Sequence, residues 1–210
     1  PRSETASSGK DRKKILLGRM TEHIRLGGFS EAVNMSFMNP AYLDILNLAK
    51  DDPRRRGVEV MNPLRKEDAF MRTTLIPSLI DNLIYNFSRG IKNIGLYELS
   101  RVFDNIGKPL PIETLRFSAV YYKEDAPALW KDETDGLYIM KGIIQGIFDE
   151  LKLEGYYLKS SMEPFLHPGK SADIFFSEMK VGFVGIISPF VVGKLDVKPK
   201  GEIAVFELEV

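Results

Sequence analysis

Pro168-Gly169-Lys170-Ser171 comes closest to a familiar chemical device, the Gly-Lys-Ser end of a phosphate-binding loop. Such a loop cradles phosphates with backbone amides and a lysine at the N-terminus of a helix. Here the first glycine of the motif would fall at Pro164, and the following residues 172–176 read as strand, leaving phosphates no helix end to sit on. The spacing instead predicts a type II turn over residues 167–170, with Pro168 and Gly169 at its two central positions. The two histidines, His23 and His167, enter no ligand cluster, and the chain has no cysteine for a thiolate metal site, a disulfide or a nucleophile. No Gly-x-Ser-x-Gly elbow is present, nor a Gly-x-Gly-x-x-Gly after a strand. The runs Arg12-Lys13-Lys14 and Arg54-Arg55-Arg56 read as solvated faces or loops, the second partly cancelled by Asp51-Asp52. No metal, cofactor or catalytic constellation emerges from the residue types alone.

The elements that would carry any site are clearer. Residues 11–26 pattern as an amphipathic helix with Ile15, Leu16, Met20, Ile24 and Leu26 near one face, stopped by Gly27-Gly28. The texture changes over residues 29–38, with a strand expected over 32–38 and stopping at Asn39-Pro40, then a short helix over 42–48 and a short strand over 58–61. Ile76, Leu79, Ile80, Leu83, Ile84 and Phe87 keep helical spacing, with Pro77 in the first turn. Strands follow over 95–103 and 114–122 around the turn at 105–109, then a helix over 136–151. Further strands are expected over 155–159, 172–176, 180–187 and 203–210, with a short helix over 189–195. The sum is an α+β fold with a largely antiparallel sheet of about six strands.

Composition sets limits. The 210 residues are 44% hydrophobic and 28% charged, enough to bury a sizeable core. Lys+Arg and Asp+Glu are 29 each, so nothing in the overall charge supports binding to nucleic acid by charge alone. No apolar run approaches the roughly 18 to 20 residues of a membrane span, and the N-terminus has no apolar core of a signal peptide. The lack of cysteine fits a reducing cytoplasm. Residues 1–10 read as a linker or remnant before a domain spanning 11–210. Without an initiator Met, the chain reads as a piece of something longer.

Several segments, taken in order, resemble the class II aminoacyl-tRNA synthetase core, and specifically the β subunit of bacterial phenylalanyl-tRNA synthetase. His23-Ile24-Arg25-Leu26-Gly27-Gly28-Phe29-Ser30-Glu31-Ala32-Val33 looks like the class II motif 1 helix and strand, and Ile94 to Asp104 like motif 2. Met61-Asn62-Pro63-Leu64 and Met71-Arg72-Thr73-Thr74-Leu75-Ile76-Pro77 are similar to segments of that β chain. Phe165-Leu166-His167-Pro168-Gly169-Lys170-Ser171-Ala172 and Phe206-Glu207-Leu208 are similar to its later ones. The resemblance implies an antiparallel sheet flanked by helices. It also implies an (αβ)2 enzyme that joins phenylalanine to tRNA(Phe) with ATP and Mg2+, neither of them bound by this piece.

The departures imply that this core is silent. A working motif 2 places an arginine on the ATP phosphate just after the Val-Phe strand end, where this chain has Asp104. The C-terminal Gly-x-Gly-x-x-x-Arg is replaced by Gly182-Phe183-Val184-Gly185-Ile186-Ile187-Ser188, and no arginine follows Arg116. Adenylate formation needs its phosphoryl charge stabilised. Arg72, Glu98, Arg101 and Asp104 are therefore expected as remnants of a degenerate site, the first three as a structural ion-pair network. Leu16, Met20 and Phe29 are candidates for contact with an α subunit. Two other classes stay open, a variant ATP-dependent ligase and a free-standing synthetase-like interaction module.

Overall fold

The computed structural model describes residues 8–63, 65, 69–108, 110–124 and 135–210. Its elements in chain order are α1 (Ser8–Leu26), β1 (Ser30–Glu31), β2 (Phe37–Met38), α2 (Ala41–Ile45), β3 (Phe70–Met71) and α3 (Ile76–Ser88). Then come β4 (Asn93–Asp104), β5 (Ile112–Lys123), α4 (Gly136–Glu150), β6 (Tyr156–Ser160), β7 (Leu166–Phe176), β8 (Met179–Ile187), α5 (Pro189–Val192) and β9 (Ile203–Glu209). Among the described residues the strands form a 7-stranded sheet in the order β1-β4-β5-β9-β8-β7-β6 and a 2-stranded sheet β2-β3. The β1–β4 pair is parallel, and every other pair is antiparallel. The expected α+β architecture holds.

Alternation along the strands divides the core between two faces of the large sheet. On one face Ile94, Val120, Tyr122, Ile203, Val205 and Phe183 pack with Ile76, Leu79, Ile80 and Leu83 of α3. On the other, Tyr97, Phe117, Ala119, Phe206, Val184 and Ile174 meet Met20 and Ile24 of α1 and the α4 stripe Met140, Ile143, Ile144, Ile147 and Phe148. Each fully buried aliphatic side chain of these stripes stabilises by about 1.5–3 kcal/mol relative to exposure. Asp135 caps α4 by accepting a hydrogen bond from the Leu137 amide at 2.9 Å.

Several local expectations need correction. α1 begins at Ser8, so residues 8–10 are helical rather than linker; residues 1–7, Leu64 of the Asn-Pro-Leu segment and Pro109 of the 105–109 turn lie outside those described. Of the strand expected over 32–38 only β2 forms, with β1 lying just ahead of it. Between them the backbone is held by other partners: the Ala32 amide donates to the Tyr97 carbonyl at 2.8 Å, and the Arg72 amide to the Ser36 carbonyl at 3.1 Å. The strand expected over 58–61 is reduced to one bridge, Glu59 to Phe70.

Residues 167–170 form no type II turn, because Gly169 does not take the positive φ that such a turn requires. They lie inside β7 as an irregularity. Leu166 pairs with Ile187 and Ser171 with Gly185, so β7 carries extra residues against β8, and Pro168 falls where no ladder amide is needed.

Glycine has a steric task at Gly182 of β8. A Cβ there would lie 2.2 Å from the Glu207 carbonyl oxygen and 2.8 Å from a Leu208 methyl, so β8 and β9 approach only because the side chain is absent. Gly18, by contrast, faces open space within α1. Gly182→Ala is expected to lower stability by about 1–3 kcal/mol, whereas Gly18→Ala should raise it by roughly 0.5–1 kcal/mol. Thermal melting of the two variants beside the parent chain checks both signs.

Candidate functional site

Glu207 stands on the α3 face of β9, in line with Ile203 and Val205, and is only 1% exposed. An ionised carboxylate so enclosed must be hydrogen-bonded from several sides. Oε2 accepts from the Thr74 hydroxyl at 2.8 Å and the Leu75 amide at 2.7 Å, which ties down the segment entering α3. Oε1 accepts from Nη1 of Arg116 at 2.7 Å. Arg116 is pulled down by its burial but held above its ordinary pKa chiefly by Glu207, with Asp104 and Glu209 adding to the effect. Among the described residues, its Nε is the one buried side-chain polar atom without a hydrogen-bond partner.

A cleft of about 230 Å³ opens beside this group, with Arg54, Arg116, Glu163, Lys180, Phe183 and Glu207 in its wall. Its cations are already engaged. Arg54 donates to Glu163 at 2.8 Å and grips Asp52 through Nε and Nη2 at 2.9 and 2.8 Å. Lys180 reaches Glu163 at 2.8 Å and Asp173 at 3.0 Å. Burial alone would raise the Glu163 pKa, but Arg54 and Lys180 overcome it and hold the carboxyl below its usual range.

The expected remnants separate. Arg72 and Glu98 do come together, 1% and 2% exposed, with Nη1 donating to Glu98 Oε1 at 2.7 Å. Arg72 Nε donates to the Arg101 carbonyl at 2.9 Å, and Nη2 donates to the Ser100 hydroxyl. Glu98 Oε2 accepts from Asn34, whose side-chain carbonyl accepts from Asn82. Arg101 supplies only its backbone to this network. Three residues from Glu98 on one strand, its side chain projects from the opposite face, 66% exposed, and meets Glu113 at 3.4 Å. Asp104 returns to the Glu98 face; burial raises its pKa, Arg116 opposes that, and Glu209 and Glu207 add to it.

The candidate contact residues divide in the same way. Met20 and Phe29 are 4% and 5% exposed and belong to the domain's own core, so their side chains are closed to a partner. Phe29 packs its ring where Gly95 leaves room and against Tyr121 at 5.8 Å between centroids. Leu16 is 36% exposed, next to Ile15 at 57%.

Arg116 and Glu163 escape the sequence reading, since each sits in an unremarkable charged context, and Arg54, expected in a solvated run, is instead largely enclosed between Asp52 and Glu163. Glu207 had a signal: a charge on the inward row of an otherwise apolar strand, Ile203, Val205, Glu207. Chemically the arrangement is a closed set of ion pairs. A phosphate approaching Arg116 would meet a guanidinium whose charge is already shared with the enclosed Glu207 carboxylate.

Two measurements test this account. Arg72→Met strands the Glu98 carboxylate and is expected to cost about 3–5 kcal/mol in denaturant unfolding, with Arg72→Met/Glu98→Leu recovering part of it. The depressed Glu163 pKa gives stability that is fully present above its unfolded value near about 4.3 and is lost as pH falls through the lower folded value. The parent chain should therefore exceed Glu163→Gln in stability at neutral pH, and the gap should shrink as pH drops below about 4.

The whole chain, residues 1–210, matches the family described as phenylalanyl tRNA synthetase beta chain CLM domain. It is 35% identical over 206 residues to the phenylalanine–tRNA ligase beta subunit of Syntrophus aciditrophicus (strain SB), covering 96% of this chain and 25% of that protein. The beta subunit of Moorella thermoacetica (strain ATCC 39073 / JCM 9320) is 35% identical over 186 residues, covering 87% of this chain and 23% of that protein. The chain thus spans about a quarter of the length of these curated relatives. Among solved structures, a pyrrolysyl-tRNA synthetase from Desulfitobacterium hafniense superposes with a TM-score of 0.67, covering 92% of this chain and 65% of that one. At 12% identity that likeness speaks for a class II synthetase-like fold alone. The full-length family match, joined to relatives of the same kind and to this fold, means that the chain belongs to the phenylalanyl-tRNA synthetase beta chain CLM domain family.

Proposed function

We propose that this domain is the catalytically silent core of a phenylalanine–tRNA ligase β subunit. In that reading it scaffolds an α subunit in an (αβ)2 cytoplasmic enzyme, which uses ATP and Mg2+ to attach phenylalanine to tRNA(Phe). The domain itself holds neither ATP nor metal, and tRNA meets the assembly rather than this piece alone. A non-catalytic role rests on one observation above the rest: Arg116, the cation best placed in the cleft, is already bound to Glu207, with Asp104 and Glu209 close enough to act on its charge. Phosphoryl transfer needs cations free to receive developing charge. Here an incoming triphosphate meets carboxylates instead.

The scaffold role rests on surface chemistry. α1 buries only Met20 and Ile24 among its expected apolar residues and leaves Ile15, Leu16 and Leu26 exposed, which suits a helix shared with a partner. Among the described residues no helix is long and apolar enough to cross a membrane.

The chain alone is expected to show no ATP–pyrophosphate exchange with phenylalanine, yet to co-purify in a stoichiometric complex with a cognate α subunit, sized by light scattering. Leu16→Asp should weaken that complex about tenfold or more while leaving the melting of the isolated chain nearly unchanged. Measurable exchange by the isolated chain would overturn the silent reading. A folded chain that forms homodimers and ignores α would overturn the scaffold reading.

A further inference from the structure

Where β4 begins, three separate segments of the chain converge: the end of α3 with the residues after it, the end of β5, and the residues just ahead of β9. The Glu124 amide donates to the Lys92 carbonyl at 2.8 Å, and the Lys200 amide to the Tyr122 hydroxyl at 3.3 Å. Their cations therefore collect at one end of the large sheet. Lys92 and Lys200 reach the two oxygens of Glu124 at 3.2 and 3.3 Å while staying 71% and 77% exposed, so one carboxylate answers two ammonium groups. Arg89 lies over the Tyr85 ring, 3.4 Å from its centroid, and donates to the Tyr85 carbonyl at 3.3 Å, with no carboxylate partner among the described residues. Nor has Lys198, exposed two residues before Lys200. Of the acids flanking these lysines, Glu202 is already held by Lys170 at 2.9 Å, which leaves Asp196. Arg89, Lys92, Lys198 and Lys200 thus face only Glu124 and Asp196, a local surplus of positive charge in a chain whose formal net charge is zero. Cations after a helix C-terminus answer its dipole, which accounts for Arg89 and Lys92. It does not account for Lys198 and Lys200, which lie outside any helix.

We infer that Arg89, Lys92, Lys198 and Lys200 form a contact for the phosphodiester backbone of RNA. This contact presupposes the reading above, in which the domain belongs to an enzyme acting on tRNA, and gives this piece its own share of the nucleic acid. Overall neutrality is no obstacle, because phosphates respond to the local surplus of charge. The chemistry of the patch favours phosphate over a protein partner. Lysine is depleted from protein interfaces, whose centres are apolar, and in these segments only Tyr85 and Ile91 are large apolar side chains left exposed. Phosphates need no recess; they accept point charges carried on long, solvated stems. The Tyr85 ring holds the Arg89 guanidinium by its face, which leaves edge N–H groups to meet phosphate oxygens in a paired fashion. Phosphate contacts carry no sequence information, so the contact is expected to position an RNA rather than to read it.

The test is made in the assembled enzyme, with tRNA(Phe) as the probe and Arg89→Gln/Lys198→Gln/Lys200→Gln as the variant; Lys92 is kept so that Glu124 stays paired. Affinity is measured across a series of salt concentrations. The variant is expected to bind about a hundredfold more weakly near ~0.1 M salt, and its plot of log affinity against log salt should be shallower by about two to three. The KM for tRNA in aminoacylation should rise with the loss of affinity, while ATP–pyrophosphate exchange measured without RNA stays at the parent level. Lys141→Gln/Lys152→Gln/Lys159→Gln removes the same charge elsewhere and should bind like the parent. Parent-like affinity and salt slope in the first variant overturn the contact and leave the ligase reading intact. An equal loss in the second variant also overturns it, since charge anywhere on the domain would then serve. Dissociation of α from the first variant, seen by light scattering with its RNA affinity unchanged, assigns the patch to an acidic protein surface and overturns it too. A parent enzyme that neither binds nor charges tRNA(Phe) overturns both the contact and the reading it presupposes.

Discussion

A carboxylate sealed inside a protein keeps its charge only if donors surround it, and Glu207 imposes that demand at the middle of the sheet. Answering it fixes three parts of the molecule together. Thr74 and the Leu75 amide must come to the carboxylate, which sets where α3 starts and how it lies on the sheet. Arg116 must extend along β5 toward β9, which removes it from any other use. The cleft between them inherits a wall of engaged cations, and the silence toward phosphate proposed for it would follow from the same bonds that hold the fold. Removing one partner of such a group is costly because the other is left buried and charged.

The same logic repeats at Arg72 and Glu98, nearer the sheet edge. Strand alternation decides which charged residues of β4 can join: Glu98 and Asp104 face α3, whereas Arg101 cannot, although in sequence it lies between them. Two polar clusters therefore share one face of the sheet. The opposite face, under α1 and α4, is apolar throughout its centre. Polar residues on the first face are permitted because the segments before β2 and α3 bring side-chain and backbone groups to meet them.

Much of this was legible in the sequence, and the reasons differ by element. α3 and α4 read cleanly because their apolar stripes repeat over three or more turns, and β4 and β5 because their alternation is long. The break at residues 32–36 was not legible. It depends on Asn34 finding Glu98, 64 positions away, and no local pattern encodes a distant acceptor. The irregularity in β7 was misread because Pro168-Gly169 is equally good turn chemistry and bulge chemistry, and register against β8 decides between them. Of the site, Arg72 and Glu98 were found through a resemblance. Arg116 was missed because its importance lies in reaching Glu207 diagonally across the β5–β9 pair, a fact of topology.

β9 lies between β5 and β8 in space but after all of them in sequence. During synthesis, then, β4–β5 and β6–β7–β8 can form as separate hairpin-built halves, each with an apolar flank waiting for residues 203–209. Closing the sheet joins Arg116 to Glu209 and Gly182 to Leu208 in a single event of high sequence separation, a slow kind of step. The final strand works as a zipper. Until it arrives, the two unpaired edges are the part of the nascent chain with most to gain from a chaperone.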